Sequence, residues 1–279
     1  MKVESVGKVR SGQDGALYKG LLFRGSGDGS LAVYRMSDHE MLDNIMLDKV
    51  EQVMPHSNAV FFGGFYDEGD EFPVLYTNLY NSYAKAEDRR EGTLAAYRIT
   101  RKDGKFTSTL LQLIRIGFVE DRELWKSLPG NGDYRSYGNF ILDPDKNRLW
   151  AFVMRDKEPL TRFFGFDMPS IRSGENGALC PVVTLNKEDI RARFDIPYQH
   201  AIQGACFHQG IIYTLEGFGT NPDYLSVLRL ADTEKGEQIG YYDFPALGMP
   251  EETEMIDYDA ESGTFLYSDS TGELFRLTF

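Results

Sequence analysis

The chain has 279 residues, of which 42% are hydrophobic, 13% aromatic and 26% charged. Its 43 Asp and Glu outweigh 30 Lys and Arg, for a net charge of −13. That balance opposes nucleic acid and anionic lipid, because phosphate binding needs clustered Lys and Arg. No run approaches the roughly 18 apolar residues of a membrane-spanning helix.

The chain opens MKVESVGKVRSGQDG, without the apolar segment of a secretory signal. The default expectation is a cytoplasmic protein. A mature chain whose export segment had been removed would read the same and would be secreted or at the cell surface.

Behind this opening, one phrase recurs: a polar pair, a small residue, an apolar strand, a turn, a second strand, then a strand of the form G/D-x-L-x-V-Y-R-L. Repeats of this kind are the first thing to seek in a chain. The first copy runs from Gln13-Asp14-Gly15-Ala16 through the Lys19-Gly20 turn and Leu21–Phe23 to Ser30–Met36, with a fourth strand over Met41–Leu47. The second begins at His56-Ser57-Asn58-Ala59, continues through Phe72–Thr77 and Gly92–Ile99, and closes with Phe106–Ile116. The third comprises Tyr137–Leu142, Arg148–Val153 and Thr161–Phe166, with a fourth strand expected at Val182–Leu185. Asn186 is then placed to cap a short helix over Lys187–Phe194, ended by Pro197. The fourth is His200–Gly217, followed by Tyr224–Leu230 and Gln238–Phe244. The fifth is Glu252–Tyr258, Thr264–Ser268 and Gly272–Leu277, and it lacks a fourth strand.

The strand-like Lys2–Val9 supplies that strand. Ring closure by the N-terminal strand removes the open edges that a ring of sheets would otherwise leave. The expectation is an all-β fold, a single five-bladed β-propeller domain over residues 1–279, with inner strands starting near 13, 56, 138, 203 and 253. Six blades is the alternative count, if the long segments Phe106–Tyr137 or Pro169–Pro197 hold another sheet.

In a propeller the first strand of each blade lines the central channel. The polar entries of all copies should therefore converge on one mouth: Gln13 and Asp14, His56 and Asn58, Tyr137 and Asn139, His200 and Gln203, Glu252 and Glu254. A water-filled channel satisfied by polar side chains would show the same residues. Carboxylates from neighbouring blades, Asp14 with Glu252 or Glu254, are the chemistry of acid and base on a glycosidic bond. The same oxygens, with the amides of Asn58, Asn139 and Gln203, suit Ca²⁺, the one cofactor the mouth suggests. His56 and His200 are placed to hydrogen-bond a ligand, shuttle protons or bind a metal. The catalytic candidates are Asp14, Glu254 and His200. Tyr134, Tyr137, Tyr198 and Tyr224 are candidates to rim a sugar-binding mouth.

Other features carry less. Gly25–Gly29 is glycine-rich, but no helix start or GK[ST] follows, so it reads as a hairpin turn. Asp143–Asn147 lacks the distal Glu of a calcium loop and also reads as a turn. No G-x-S-x-G is present. Glu216 reads as a loop charge. Cys180 and Cys206 match no metal-ligand spacing and read as two buried free thiols.

The inner strand with Gln203-Gly204, the hairpin GIIYTLEG (Gly210–Gly217) and LSVLRL (Leu225–Leu230) resemble the propellers related to teichoic-acid biosynthesis protein C and to phage receptor-binding proteins. NAVFFG with FPVLYT (within Asn58–Thr77) and PEETEM (Pro250–Met255) are similar to stretches of uncharacterised propellers of gut bacteria. The resemblance implies a five-bladed ring near cell-wall or surface-glycan biology. It implies no catalytic residue.

Three functions follow as expectations. The first is a binding propeller for a small-molecule, glycan or polyol-phosphate ligand, assisted by a cation. The second is a glycoside hydrolase or lyase at the channel mouth. The third is a protein-interaction scaffold. Oligomeric state is not encoded in these motifs.

Overall fold

Short runs of Val, Ile, Leu, Phe and Tyr, broken every few residues by Gly, Asp or Asn, favour hairpin-linked strands over helices. Where two residues must reverse the chain, both adopt positive φ: Asp103-Gly104 at 51° and 77°, Gln209-Gly210 at 49° and 79°. That conformation matches the twist of the strands it joins.

A computed structural model describes residues 1–79, 92–118, 139–155, 160–198, 202–217 and 226–279. Their strands form five sheets arranged as the blades of a propeller. After β1 (Lys2–Lys8), blade 1 is β2 (Gly15–Tyr18), β3 (Leu21–Gly25), β4 (Ser30–Arg35) and β5 (Glu40–Met46). A four-residue helix, α1 (Val50–Val53), leads to blade 2: β6 (Pro55–Phe62), β7 (Leu75–Leu79), β8 (Thr93–Lys102) and β9 (Lys105–Ile116). Blade 3 begins β10 (Asn139–Asp143), β11 (Arg148–Arg155) and β12 (Leu160–Asp167). Next come β13 (Glu175–Asn176), β14 (Pro181–Leu185) and β15 (Ile190–Pro197). Blade 4 is β16 (Ile202–His208), β17 (Ile211–Glu216), β18 (Val227–Asp232) and β19 (Glu237–Asp243). Blade 5 is β20 (Thr253–Asp259), β21 (Thr264–Asp269) and β22 (Glu273–Thr278), completed by β1.

The ring closes as the repeat requires: β1 pairs antiparallel with β22, from Lys2 opposite Thr278 to Lys8 opposite Glu273. Among the described residues the count is five blades; the segment after β12 extends existing sheets and adds no sixth, and residues 119–138 of the other long segment lie outside the described residues.

Two expectations fail in that segment. Val182–Leu185 is not the outer strand of blade 3; β14 runs parallel to β9, Val182 opposite Leu113 and Leu185 opposite Ile116, and widens blade 2. The outer strand of blade 3 is β15, where a helix over Lys187–Phe194 was expected. Asn186 does cap, but only one 3-10 turn, Lys187–Asp189. Beyond it the sequence IRARFDIP alternates with period two. Ile190, Ala192 and Phe194 pack toward the core, and the Arg162 guanidinium, on β12, grips Asp195 through two bonds of 2.8 Å. The alternation, rather than the cap, decides the element.

The core lies between blades. Phe23, Val33, Val60, Leu75 and Tyr97 fill the wedge between blades 1 and 2. Trp150, Phe152, Phe163 and Phe166 fill blade 3 and its flanks. Phe163 stacks on Phe194 at 4.7 Å between ring centres, an aromatic pair worth about 0.5–1.5 kcal/mol beyond its buried area. Both cysteines are buried free thiols. No helix among the described residues is long and apolar enough to cross a membrane.

Candidate functional site

The inner strands β2, β6, β10, β16 and β20 touch around the axis, and β16 also touches β6 across it. Three of them break register at the mouth end: β6 between Pro55 and Val60, β16 between Ile202 and Gly204, β20 between Thr253 and Met255. Such bulges give one strand an extra residue and re-aim its side chain. Gln203 and Glu254 are the extra residues of β16 and β20. On β6 the displacement puts Ser57 at φ 64° and turns Asn58 to the channel side.

The outermost layer spans the axis. Asn58 Nδ2 donates to Gln203 Oε1 at 3.2 Å, and Gln203 Nε2 donates to Glu252 Oε1 at 2.5 Å. Residues of blades 2, 4 and 5 are thus joined by one side chain. Asn58 and Glu252 are half-buried and reach solvent, while Gln203 between them is buried; Gln13 flanks the layer, half-buried, on the connection into β2. Asn58 Oδ1 is buried and accepts no hydrogen bond among the described residues.

Beneath it lies an acidic layer. Asp14 is fully buried; its Oδ2 accepts from the Val60 amide at 3.0 Å, while its Oδ1 has no partner among the described residues. Glu254 is 5% exposed and its Oε2 is likewise unpaired. Burial pushes the Asp14 carboxyl well above its usual range, and pushes Glu254 up to about 8, helped by the charge of Glu252. Arg24, from β3, is the cation of this layer. Its Nη2 donates to the carbonyl oxygens of Gly12 at 3.1 Å and Asp269 at 3.3 Å, and its Nε and Nη1 have no partner among the described residues. Burial lowers its pKa, while Glu254 and Asp14 favour its charge. Deeper still, Asp257 accepts from the amides of Leu17 at 2.7 Å and Tyr258 at 2.9 Å and is pushed by burial to about 7.

Gly204 closes the passage between these layers. A Cβ there would lie 2.6 Å from the Glu254 carbonyl oxygen and 3.2 Å from Asp14 Oδ1. The main chain of β16 therefore occupies the space beside Asp14 that a sugar ring would need to reach both carboxylates.

The structure thus brings together Asp14, Asn58, Gln203, Glu252 and Glu254, with Gln13 at the rim. Asn139 is spent on the scaffold: its Oδ1 accepts from Asn78 Nδ2 at 2.8 Å and its Nδ2 donates to the Ile202 carbonyl at 3.0 Å. His56 turns away from the axis onto the blade 1 loop, 3.1 Å from where a Gly27 Cβ would stand, and burial lowers its pKa. Tyr137, His200, Tyr134 and Tyr224 lie outside the described residues. Tyr198 packs against the blade 3 core. Glu216 is not a loop charge: it ends β17 fully buried, paired with Arg229 Nε at 2.6 Å. The turns at Gly25–Gly29 and Asp143–Asn147 are turns, the second tied by Asp143 Oδ1 to the amides of Asp145 and Lys146. Among the described residues no group of three or more His, Cys, Asp or Glu is arranged to hold a metal ion.

Arg24, Asn78 and Asp257 stand outside the polar entries that the sequence marks, and Gly204 is marked there without a role. Arg24 and Asp257 had a signal: Arg24 is the one charge in the apolar strand LLFRG, and Asp257 is a charge directly behind the apolar pair Met255-Ile256.

No protein-family model matches the chain, and no curated relative does. Solved structures of similar fold exist. Glutaminyl cyclase of Myxococcus xanthus aligns with a TM-score of 0.51 at 13% identity, over 99% of this chain and 95% of its own. A Thermus thermophilus protein assigned as an oxidoreductase (glucose dehydrogenase) aligns with a TM-score of 0.51 at 10% identity, over 99% of both chains. Likeness at such identities is a likeness of fold.

Proposed function

We propose that the chain is a binding propeller whose mouth takes a neutral, hydroxyl-rich ligand, a glycan or polyol. One observation carries the reading: the Asn58–Gln203–Glu252 bridge. It presents amide donors, amide acceptors and a carboxylate, with Asn58 and Glu252 half-buried around the buried Gln203, and with bulges in β6 and β16 at Asn58 and Gln203. Sugar hydroxyls, each donor and acceptor, pair with that mixture. A phosphate-bearing polyol is less well served, since Arg24 is buried below the mouth and the half-buried Glu252 carboxylate opposes an anion.

Binding is better supported than hydrolysis. A glycosidase places its carboxyl groups on either side of a sugar bond, about 5–9.5 Å apart with room for the ring. Here Asp14 and Glu254 are buried beneath Gln203 and separated from the mouth by the Gly204 main chain.

The test is thermal unfolding against a panel of neutral oligosaccharides, with and without Ca²⁺. A ligand that binds only the folded state raises Tm, by linkage. The reading expects a sugar-dependent rise that Gln203→Leu abolishes. A flat response to the whole panel under both conditions contradicts it. Product release from a panel member that Asp14→Asn or Glu254→Gln eliminates would replace it with the hydrolase.

A further inference from the structure

A second run of side-chain amides, fully buried, joins the same two strands as the Asn58–Gln203 contact. The Ala59 amide donates to Asn78 Oδ1 at 3.0 Å, Asn78 Nδ2 donates to Asn139 Oδ1 at 2.8 Å, and Asn139 Nδ2 donates to the Ile202 carbonyl oxygen at 3.0 Å. We infer that Asn78 and Asn139 are positioning residues for the mouth: they tie the bulge that carries Asn58 to the bulge that carries Gln203, and so set where those two amides stand.

The two ends of the run grip particular peptide groups. Between Pro55 opposite Leu79 and Val60 opposite Thr77, four residues of β6 face the single residue Asn78 of β7. A bulge disrupts the ladder and leaves main-chain groups without their strand partners. The Ala59 N–H that Asn78 takes up belongs to the peptide group directly after Asn58. On β16, Gln203 is the extra residue between Ile202 opposite Glu216 and Gly204 opposite Leu215. The Ile202 carbonyl that Asn139 takes up belongs to the peptide group directly before Gln203. Each end of the run therefore holds the peptide plane beside a mouth residue. Asp14 fixes the β6 bulge against blade 1, its amide donating to the Ser57 carbonyl at 3.0 Å and its Oδ2 accepting from the Val60 amide at 3.0 Å. Asn78 and Asn139 fix the same bulge against blades 3 and 4.

The residue type follows from the two ends. The run starts at a main-chain N–H, which only donates, and finishes at a main-chain carbonyl, which only accepts. Each side chain between them must accept on one side and donate on the other. An amide does both; a carboxylate only accepts. All four polar atoms of the two side chains are paired in this way, and a buried network with every member satisfied is rigid. Asn78 is 2% exposed and Asn139 5%, so what they do for a ligand they do through Asn58 and Gln203.

The inference rests on the binding reading for the use of the mouth, but its test needs no ligand, so a flat response to sugars leaves it standing. The side-chain amide signals of Asn58 and Gln203 are followed by ¹⁵N NMR and identified by their loss in Asn58→Leu and Gln203→Leu. Asn139→Asp keeps the acceptor for Asn78 and loses the donor to Ile202; Asn139→Ala loses both. Phe163→Leu, in the buried core of blade 3, is the control for lost stability alone. Both Asn139 variants are expected to shift the two signals and to speed their exchange with water about fivefold, as when one hydrogen bond no longer opposes local opening. Phe163→Leu is expected to lower Tm and leave both signals in place. Unmoved Asn58 and Gln203 signals in a folded Asn139 variant overturn the inference, and so does an equal shift in Phe163→Leu. Failure of both Asn139 variants to fold overturns it too, since Asn139 would then be holding the ring rather than the mouth.

Discussion

Gly204 and Asp14 meet across the axis of the ring, from blades 4 and 1: a Cβ at Gly204 would stand 3.2 Å from Asp14 Oδ1. The same Cβ would press to 2.6 Å on the main-chain carbonyl of Glu254, which cannot swing aside. Gly204→Ala is therefore expected to destabilise the fold by about 1–3 kcal/mol, the usual cost of overpacking a tight core. Urea unfolding measures it; an unchanged midpoint would mean that the inner strands are not this closely set.

The buried carboxyls make stability fall with rising pH. Burial raises Glu254 from 4.5 to about 8 and Asp257 from 3.8 to about 7. The folded chain holds these protons more tightly than the unfolded chain, so their contribution is complete below the ordinary carboxyl range and is lost as pH climbs toward 8. His56 and His208, lowered by burial, act in the opposite sense, but only below their ordinary 6.5. From pH 6.5 to 8 the carboxyls set the slope. Glu254→Gln should flatten it and stabilise the protein at pH 8 by about 2–4 kcal/mol. Parallel pH profiles for the two proteins would contradict the burial of Glu254.

In blade 4, Glu216 and Arg229 form a buried pair, 0% and 5% exposed, with Arg229 also donating to Gln238 at 2.9 Å. Removing one partner strands a charge. Arg229→Met alone is expected to cost about 3–5 kcal/mol, whereas Arg229→Met with Glu216→Leu should cost far less. Denaturant midpoints of the two variants decide this; equal losses would show that the charges do not depend on one another.

Ring closure rests on β1. Deleting residues 1–8 bares the edge of β22, and an exposed edge strand recruits other chains. The truncated protein is expected to unfold at lower denaturant and to self-associate in sedimentation. Gly7 gives a milder test: it sits at φ 150° beside a bulge, and a Cβ there would come 2.3 Å from the His39 ring. Gly7→Val should loosen the latch without removing it, with a loss between those of wild type and truncation.

Most of the architecture was legible because the repeat is local. Each hairpin carries its turn residues beside its strands, and the incomplete fifth copy points to Lys2–Val9, of which Lys2–Lys8 forms the closing strand. The third copy misled because PVVTL is equally apolar against either blade; only the packed ring selects β9 as its partner. The site was legible as a set of polar entries but not in their geometry. Alternation cannot show a bulge, so Asn139 and Gln203 looked alike, yet Asn139 is bonded into the scaffold and Gln203 crosses the mouth. Arg24 escaped because it lies on a second strand, outside the phrase that defined the entries.

The mouth bridge is tested most directly by calorimetric titration with the oligosaccharide that most raises Tm, using wild type, Asn58→Leu and Gln203→Leu. Each variant removes groups at the centre of the bridge, and an unmatched polar contact costs about 1–3 kcal/mol. The account predicts roughly tenfold weaker binding in both variants, by that same estimate, with folding intact by circular dichroism. Undiminished affinity in both would place the ligand elsewhere and contradict the reading of the mouth.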